Sequence, residues 1–222
     1  GHDSEGGTVN SLERYDPSTN EWMEEAVAPM PTARNRVRTA VLDGKLYQLG
    51  GAVRRGDECV GGAWRAAGLT TKVTEQLPMV ERYDLATNAW EEVAPMAEAR
   101  NFHAMAALDG KLYAVGGYND DDGFLSSVER YDPAANAWEA VAPMAEARFM
   151  HAMAVLDGKL YAVGGARGQL SSVERYDPAT NAWEAVAPIE EARCHHDVAV
   201  LDGKLYAVGG FNDDDGWLSS VE

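Results

Sequence analysis

The sequence predicts an all-β fold built from four copies of one unit, each unit four short antiparallel strands. Three observations predict it. Lys111-Leu112-Tyr113-Ala114-Val115-Gly116-Gly117 returns as Lys45–Gly51, Lys159–Gly165 and Lys204–Gly210, each copy directly after Leu-Asp-Gly. A Val/Leu-Glu-Arg-Tyr-Asp segment followed by a Trp recurs at Leu12–Asp16 with Trp22, Val80–Asp84 with Trp90, Val128–Asp132 with Trp138 and Val173–Asp177 with Trp183. Between these lie short stretches of alternating apolar and polar residues, bounded by Gly, Pro, Asn and Asp, as half-buried strands are. A period of about 45–50 residues marks a repeat architecture.

Taken in order, residues 9–30 open mid-unit. One strand carries Leu12–Asp16. Asp16-Pro17-Ser18-Thr19-Asn20 is a turn, since Pro presets φ and Asp and Asn bond to nearby backbone. Trp22 starts a second strand that ends before Ala28-Pro29-Met30. Repeat one spans 31–96 and holds an insertion, 52–77, with no clear period; a loop that long is functional or disordered. Repeats two (97–144) and three (145–189) differ at only three positions between Ala97–Gly117 and Ala145–Gly165, and at two between Leu125–Met144 and Leu170–Ile189. Such identity points to recent duplication or to design. Repeat four (190–222) stops inside its third strand.

The residue choices suit blades of a propeller. Strand a, the first of each unit, should lie nearest the axis, where Ala104, Ala106 and Ala107 fit. Tyr113 and Trp138, in strands b and d, are large enough to fill the space between twisted sheets. Gly116-Gly117 should supply torsions or close approaches that a Cβ forbids. The N-terminal strands are expected to complete the last blade, closing a ring and removing its exposed edges. A ring closed within one chain makes a monomer; ends that pair between chains make a homodimer. Arg38 and Asp197 share one strand-a position in repeats one and four, so closure should set them face to face near the axis.

The 222 residues suffice for a full core. No run reaches the ~18 apolar residues of a membrane span, and no signal-peptide pattern appears. Gly1-His2 without an initiator Met reads as a scar of excision from a longer protein. Cys59 and Cys194 sit at non-equivalent positions, so a disulfide framework is not expected, and the setting reads as reducing and cytoplasmic. A formal charge of −17 disfavours nucleic acid and anionic membrane as partners and permits a basic one.

Gly-Gly, the spaced Glu-Arg-Tyr-Asp, the Trp and Ala-Pro-Met together resemble the kelch repeat, and the wording of the copies is most similar to the propellers of BTB–kelch ubiquitin-ligase adaptors. The resemblance covers nearly everything outside the insertion. It implies a kelch-type β-propeller that binds a protein or peptide ligand while a separate BTB region binds the ligase. Kelch propellers commonly have six blades, and this chain has four repeats.

His103, His151 and His196 are equivalent, but Val37 replaces them in repeat one and no carboxylate or Cys shares the position, so a structural role is expected and no metal. Asn119–Gly123 and Asn212–Gly216 carry three aspartates each but lack the distant Glu of a calcium loop, and read as solvated turns. Arg34, Arg100, Arg148 and Arg193, with Glu13, Glu81, Glu129 and Glu174, recur in every unit; buried ion pairs are expected. Residues that vary between matching units are the better binding candidates. In the connections from strand d to the next strand a they are Asn35/Arg36, Asn101/Phe102, Phe149/Met150 and Cys194/His195. In the b–c connections they are Tyr118, Phe124, Arg167, Gln169, Phe211 and Trp217. Of these, Arg36, Asn101, Phe102, Tyr118, Phe124, Met150, Arg167, His195, Phe211 and Trp217 form the expected partner-binding set, on one face. The resemblance gives Arg36 a part in recognising acidic peptides, which the neighbouring aspartates oppose. A non-catalytic protein-binding propeller without cofactors is the leading expectation. An amplified or engineered propeller without a native function and a kelch-fold oxidase or sugar isomerase are the rivals; among catalytic signatures, no Ser/His/Asp or HExxH-like pattern appears.

Overall fold

The computed structural model describes residues 10–23, 27–34, 37–54, 74–165 and 170–222. Every regular element among them is a strand, and no helix is long and apolar enough to cross a membrane. Repeat one forms a four-stranded antiparallel sheet of strands a to d: Arg38–Leu42, Lys45–Leu49, Val80–Asp84 and Ala89–Val93. Repeat two repeats it with Ala104–Leu108, Lys111–Val115, Val128–Asp132 and Ala137–Val141, and repeat three with Ala152–Leu156, Lys159–Val163, Val173–Asp177 and Ala182–Val186. Repeat four contributes strands a and b, Asp197–Leu201 and Lys204–Val208.

The a strands of successive repeats lie against one another. This is the inner position that the small residues anticipate: Ala104, Ala106, Ala152 and Ala154 are buried. The core fills the space between sheets. Leu42, Tyr47 and Leu49 of repeat one pack with Leu112, Ala114 and Tyr131 of repeat two, and Tyr113 with Leu160 and Tyr176 repeats the contact one sheet on. A Trp latch joins three of the junctions among the described residues. Trp138 Nε1 donates to Ala94 O at 2.8 Å, while Ala94 N donates to Asn136 Oδ1 at 3.0 Å. Trp90 with Ala28, and Trp183 with Ala142, make the same pair of contacts.

The Gly-Gly pair works through close approach. A Cβ on Gly116 (φ 59°) would stand 2.5 Å from Arg148 O, and Gly117 N donates to that same carbonyl at 2.7 Å. The pairs of repeats one, two and three therefore clip the connection that opens the following repeat. The repeated charges pair as expected except at Glu13, which is exposed and makes no ion pair among the described residues; Glu222 serves Arg193. Arg34, Arg100, Arg148 and Arg193 are fully buried and face Glu81, Glu129, Glu174 and Glu222. Burial pulls the Arg34 guanidinium down and pushes the Glu81 carboxyl up, partly offset by their mutual attraction.

Among the described residues the N-terminal strands are not joined to the last blade. Arg14–Asp16 and Glu21–Met23 pair only with each other. Beside strand b of repeat four, the c position is taken by the chain's own end: Val208 bridges Val221, and Ala207 and Glu222 exchange two backbone bonds of 2.9 and 3.0 Å. The N-terminal hairpin carries the same Tyr15–Trp22 stack as the repeats, at 5.3 Å, yet Trp22 is 67% exposed, and among the described residues no Ala carbonyl meets its indole. Arg38 and Asp197 do line one polar cavity of about 340 Å³, between the a strands. Their hydrogen bonds go to backbone, Arg38 Nε to His103 O (3.0 Å) and Val198 N to Asp197 Oδ1 (2.9 Å), while the Asp197 charge partly offsets the burial that pulls the Arg38 guanidinium down. The insertion enters and leaves as a ribbon, Ala52–Arg54 against Thr74–Gln76, with 55–73 outside the described residues.

Candidate functional site

The candidate site is assembled from two kinds of connection. In the d–a connections, a buried Arg and a buried His bracket two variable residues: Arg100-Asn101-Phe102-His103, Arg148-Phe149-Met150-His151 and Arg193-Cys194-His195-His196. The Arg anchors the segment from behind, donating through Nη1 to the Gly carbonyl that ends strand b: Gly116 O at 2.8 Å, Gly164 O at 2.9 Å and Gly209 O at 2.9 Å. The His packs under the neighbouring glycine, where only hydrogen fits: Cβ atoms on Gly50, Gly116 and Gly164 would lie 3.0, 3.1 and 2.9 Å from the Cε1 of His103, His151 and His196.

Between these anchors the second variable residue is turned left-handed. Phe102, Met150 and His195 have φ of 52°, 55° and 54°. A non-glycine residue in that region carries a conformational cost, and the surrounding bonds hold it there. Met150 N donates to Phe102 O at 2.9 Å, and His195 N to Met150 O at 3.0 Å. Neighbouring repeats thus hand one backbone bond to the next and set these three side chains in a row.

The b–c connections of repeats two and four are small ribbons. Tyr118 pairs with Phe124 and Asn119 with Gly123; Phe211 pairs with Trp217 and Asn212 with Gly216. Each ribbon is joined to its own d–a connection, Asn101 with Tyr118 and Cys194 with Phe211, through paired backbone bonds of 2.8 to 3.0 Å. The two kinds of connection therefore share one face, as strand alternation requires. The buried Asn119 and Asn212 organise the turns: Asp122 N donates to Asn119 Oδ1, and Asp215 N to Asn212 Oδ1, both at 2.6 Å.

Two aromatic groups result. Phe149 stacks on Phe124 (4.5 Å, 21° between planes) and meets Phe102 edge-on at 6.1 Å; Tyr118 lies 5.7 Å from Phe124. Trp217 lies 5.4 Å from Phe211 and 6.3 Å from His195. Phe124 is 39% and Trp217 75% exposed. Aspartates border both groups, at 120–122 and 213–215. Burial and the nearby Asp120 push the Tyr118 hydroxyl up, and burial followed by Asp213 pushes the Cys194 thiol up. Burial and the charge of Arg38 pull the His195 imidazole down.

Of the residues chosen from sequence, Phe102, Tyr118, Phe124, Met150, His195, Phe211 and Trp217 come together on this face. Arg36 and Arg167 lie outside the described residues. Asn101 is only 3% exposed; its backbone holds Tyr118, and its side chain is not presented at the surface. Phe149 joins Phe102 to Phe124, a role that only its membership of a variable pair could have signalled. The three equivalent histidines behave as packing residues. Burial, then the Arg of the same segment, holds His103 well below its ordinary value, His151 at about 3 and His196 at about 4. Among the described residues no three His, Cys, Asp or Glu side chains are grouped to hold a metal.

Residues 67–210 match the sequence profile of the KLHDC2/KLHL20/DRC7 kelch-repeats domain, and residues 1–26 match the kelch motif. Among curated proteins, human Kelch-like protein 33 is 39% identical over 125 residues, 56% of this chain and 19% of its own length. Zebrafish (Danio rerio) Kelch-like protein 26 is 32% identical over 143 residues, 51% of this chain and 23% of its own. The mouse (Mus musculus) influenza virus NS1A-binding protein homolog is 37% identical over 112 residues, 50% of this chain and 14% of its own. The chain thus spans less than a quarter of each of these relatives.

Proposed function

Because the chain belongs to the kelch-repeat family, we propose that it is a non-catalytic binding domain that takes a protein or peptide on the face built by the d–a and b–c connections. The observation that carries this reading is the gathering of variable aromatic residues from three repeats onto one surface. The repeats agree almost everywhere their cores need to agree, and differ where this face is made. Aromatic side chains provide large contact area at little conformational cost and dominate binding energy where they are exposed together. The left-handed Phe102, Met150 and His195 support the same reading, since held backbone strain concentrates at ligand sites.

In the BTB–kelch adaptors that the sequence resembles, the propeller selects the substrate for a ubiquitin ligase. The same role, in a longer protein, is the specific form of the proposal. The test replaces Arg36, Phe102, Tyr118 and Trp217 by Ala together and compares parent and variant as affinity baits for cell-lysate proteins, identified by mass spectrometry. Partners retained by the parent and lost by a variant with unchanged circular dichroism are expected. An unchanged set of partners would reject this face.

A further inference from the structure

Ribbons two and four share a plan: an aromatic pair at the base, an Asn-closed turn, three aspartates at the tip. Their aromatic pairs differ in what covers them. Phe124 is covered on one side by the parallel ring of Phe149 from the next connection. Trp217 has Phe211 at 5.4 Å and His195 at 6.3 Å, both tilted to it, and remains 75% exposed. An indole of that exposure is the largest open aromatic surface on this face.

The charges of its own ribbon are one-sided, Asp213, Asp214 and Asp215. The Asp215 carboxylate accepts from Asn212 Nδ2 at 3.4 Å, a bond inside the turn. Asp213 and Asp214 make no hydrogen bond or ion pair among the described residues. No Lys or Arg among the described residues lies over the Trp217 ring. Burial, then the Arg38 charge, pulls the His195 imidazole below its ordinary value and so favours its neutral form. The chain as a whole carries −17. A negative aromatic face flanked by free carboxylates attracts a cation by two additive routes: the ring quadrupole, strongest for Trp, and Coulomb attraction across a partly dried contact. An acidic or phosphorylated ligand would meet repulsion at the same place.

We infer that the occupant of this face is a basic peptide segment, with a Lys or Arg side chain laid on Trp217 within reach of Asp213 and Asp214. The inference rests on the protein-binding reading above and narrows it to the partner's chemistry. The exposed Phe124, stacked on Phe149, gives the same peptide an apolar contact on the same face.

The experiment pans the immobilised full chain against a phage-displayed random dodecapeptide library. Enriched sequences are synthesised with a fluorophore and titrated by anisotropy against the parent, W217A and D213N/D214N. Both substitutions are at the surface, and circular dichroism checks that they fold. Enriched peptides rich in Lys or Arg are expected, with affinity reduced about threefold to thirtyfold by W217A. D213N/D214N should weaken them too, and should flatten the loss of affinity on raising salt. Neutral or acidic peptides that lose affinity with W217A would overturn the basic partner and leave the binding face standing. Peptides that bind regardless of W217A, or a library that yields no binder, would overturn both.

Discussion

Removing Glu174 tests the physical basis of the repeat. Its carboxylate, 3% exposed as a residue, accepts from Ala145 N (2.7 Å), Glu146 N (3.1 Å), Arg148 Nε (3.3 Å) and Arg148 Nη2 (2.9 Å). E174A strands two backbone donors and a guanidinium that is itself fully buried. Breaking a buried pair from one side costs about 3–5 kcal/mol, because the remaining charge keeps its desolvation penalty. Glu146, 3.1 Å from Arg148 and partly solvent-exposed, stays as a second anion, which sets the expectation at the lower end, about 3 kcal/mol. Domains of this kind hold about 5–15 kcal/mol in total, so the loss is a large fraction. Urea unfolding followed by Trp fluorescence measures it, with an unchanged m-value as the check that the unfolding process is the same. E184A is the matched control: Glu184 pairs with Arg175 on the exposed outer strands, and its loss should cost under about 1 kcal/mol. The double variant R148M/E174A should cost less than the sum of its parts. If E174A matches E184A, the buried Arg–Glu pair is not what fixes each repeat to the next connection.

Three further outcomes follow from the same structure. His151 and His196 are held neutral, at about 3 and about 4, against 6.5 in the unfolded chain. The unfolded state therefore takes up protons first, so stability is complete above pH 6.5 and falls by about 1.4 kcal/mol per pH unit per His as pH drops towards 4. Asp84, Asp132 and Asp177, held low first by bonds from Lys45, Lys111 and Lys159, lose their contribution only below about pH 4, outside that window. Urea midpoints from pH 7.5 to 5 should slope, and H151N should lessen the slope; a flat profile contradicts it. Gly116→Ala should cost at least about 2 kcal/mol, from positive φ and the 2.5 Å approach to Arg148 O, while Gly110→Asn, in open space at φ 70°, should change the urea midpoint little. Among the described residues Trp22 and Asn20 lack the neighbour that Trp90 and Asn88 find in Ala28, and Ala187 has no such Trp. If these ends meet within one chain, light scattering gives a single 24.0 kDa particle that W22A makes less stable; a dimer places the contact between copies.

The residues that recur were readable because every repeat needs the same solution. Arg148 and Glu174, or Gly116 and Gly117, return wherever a sheet must hold the next connection, so periodicity alone announces their role. The shared face was readable for a related reason: alternating strand direction puts d–a and b–c connections at one end. What each variable residue does there was not. Asn101 and Phe149 sit at the same repeat position, yet one is buried beneath a backbone bridge and the other, half-buried, stacks on Phe124. That difference depends on which ribbon follows and on the ring across from it, which no single-position pattern encodes. The left-handed turn at Phe102, Met150 and His195 was equally silent, because the residues there give no sign of favouring positive φ. The insertion's flanks concealed a ribbon like that of Tyr118–Phe124, since 52–54 and 74–76 lie far apart in sequence and lack a matching pattern.

Amide hydrogen exchange of the full chain, with and without a peptide enriched from the library, tests the central claim most directly. The account predicts slowed exchange at 101–103, 118–124, 149–151, 194–196 and 211–217, and none on the outer strands carrying Trp138 and Trp183. Protection confined to those outer strands, with the connections unchanged, would contradict it.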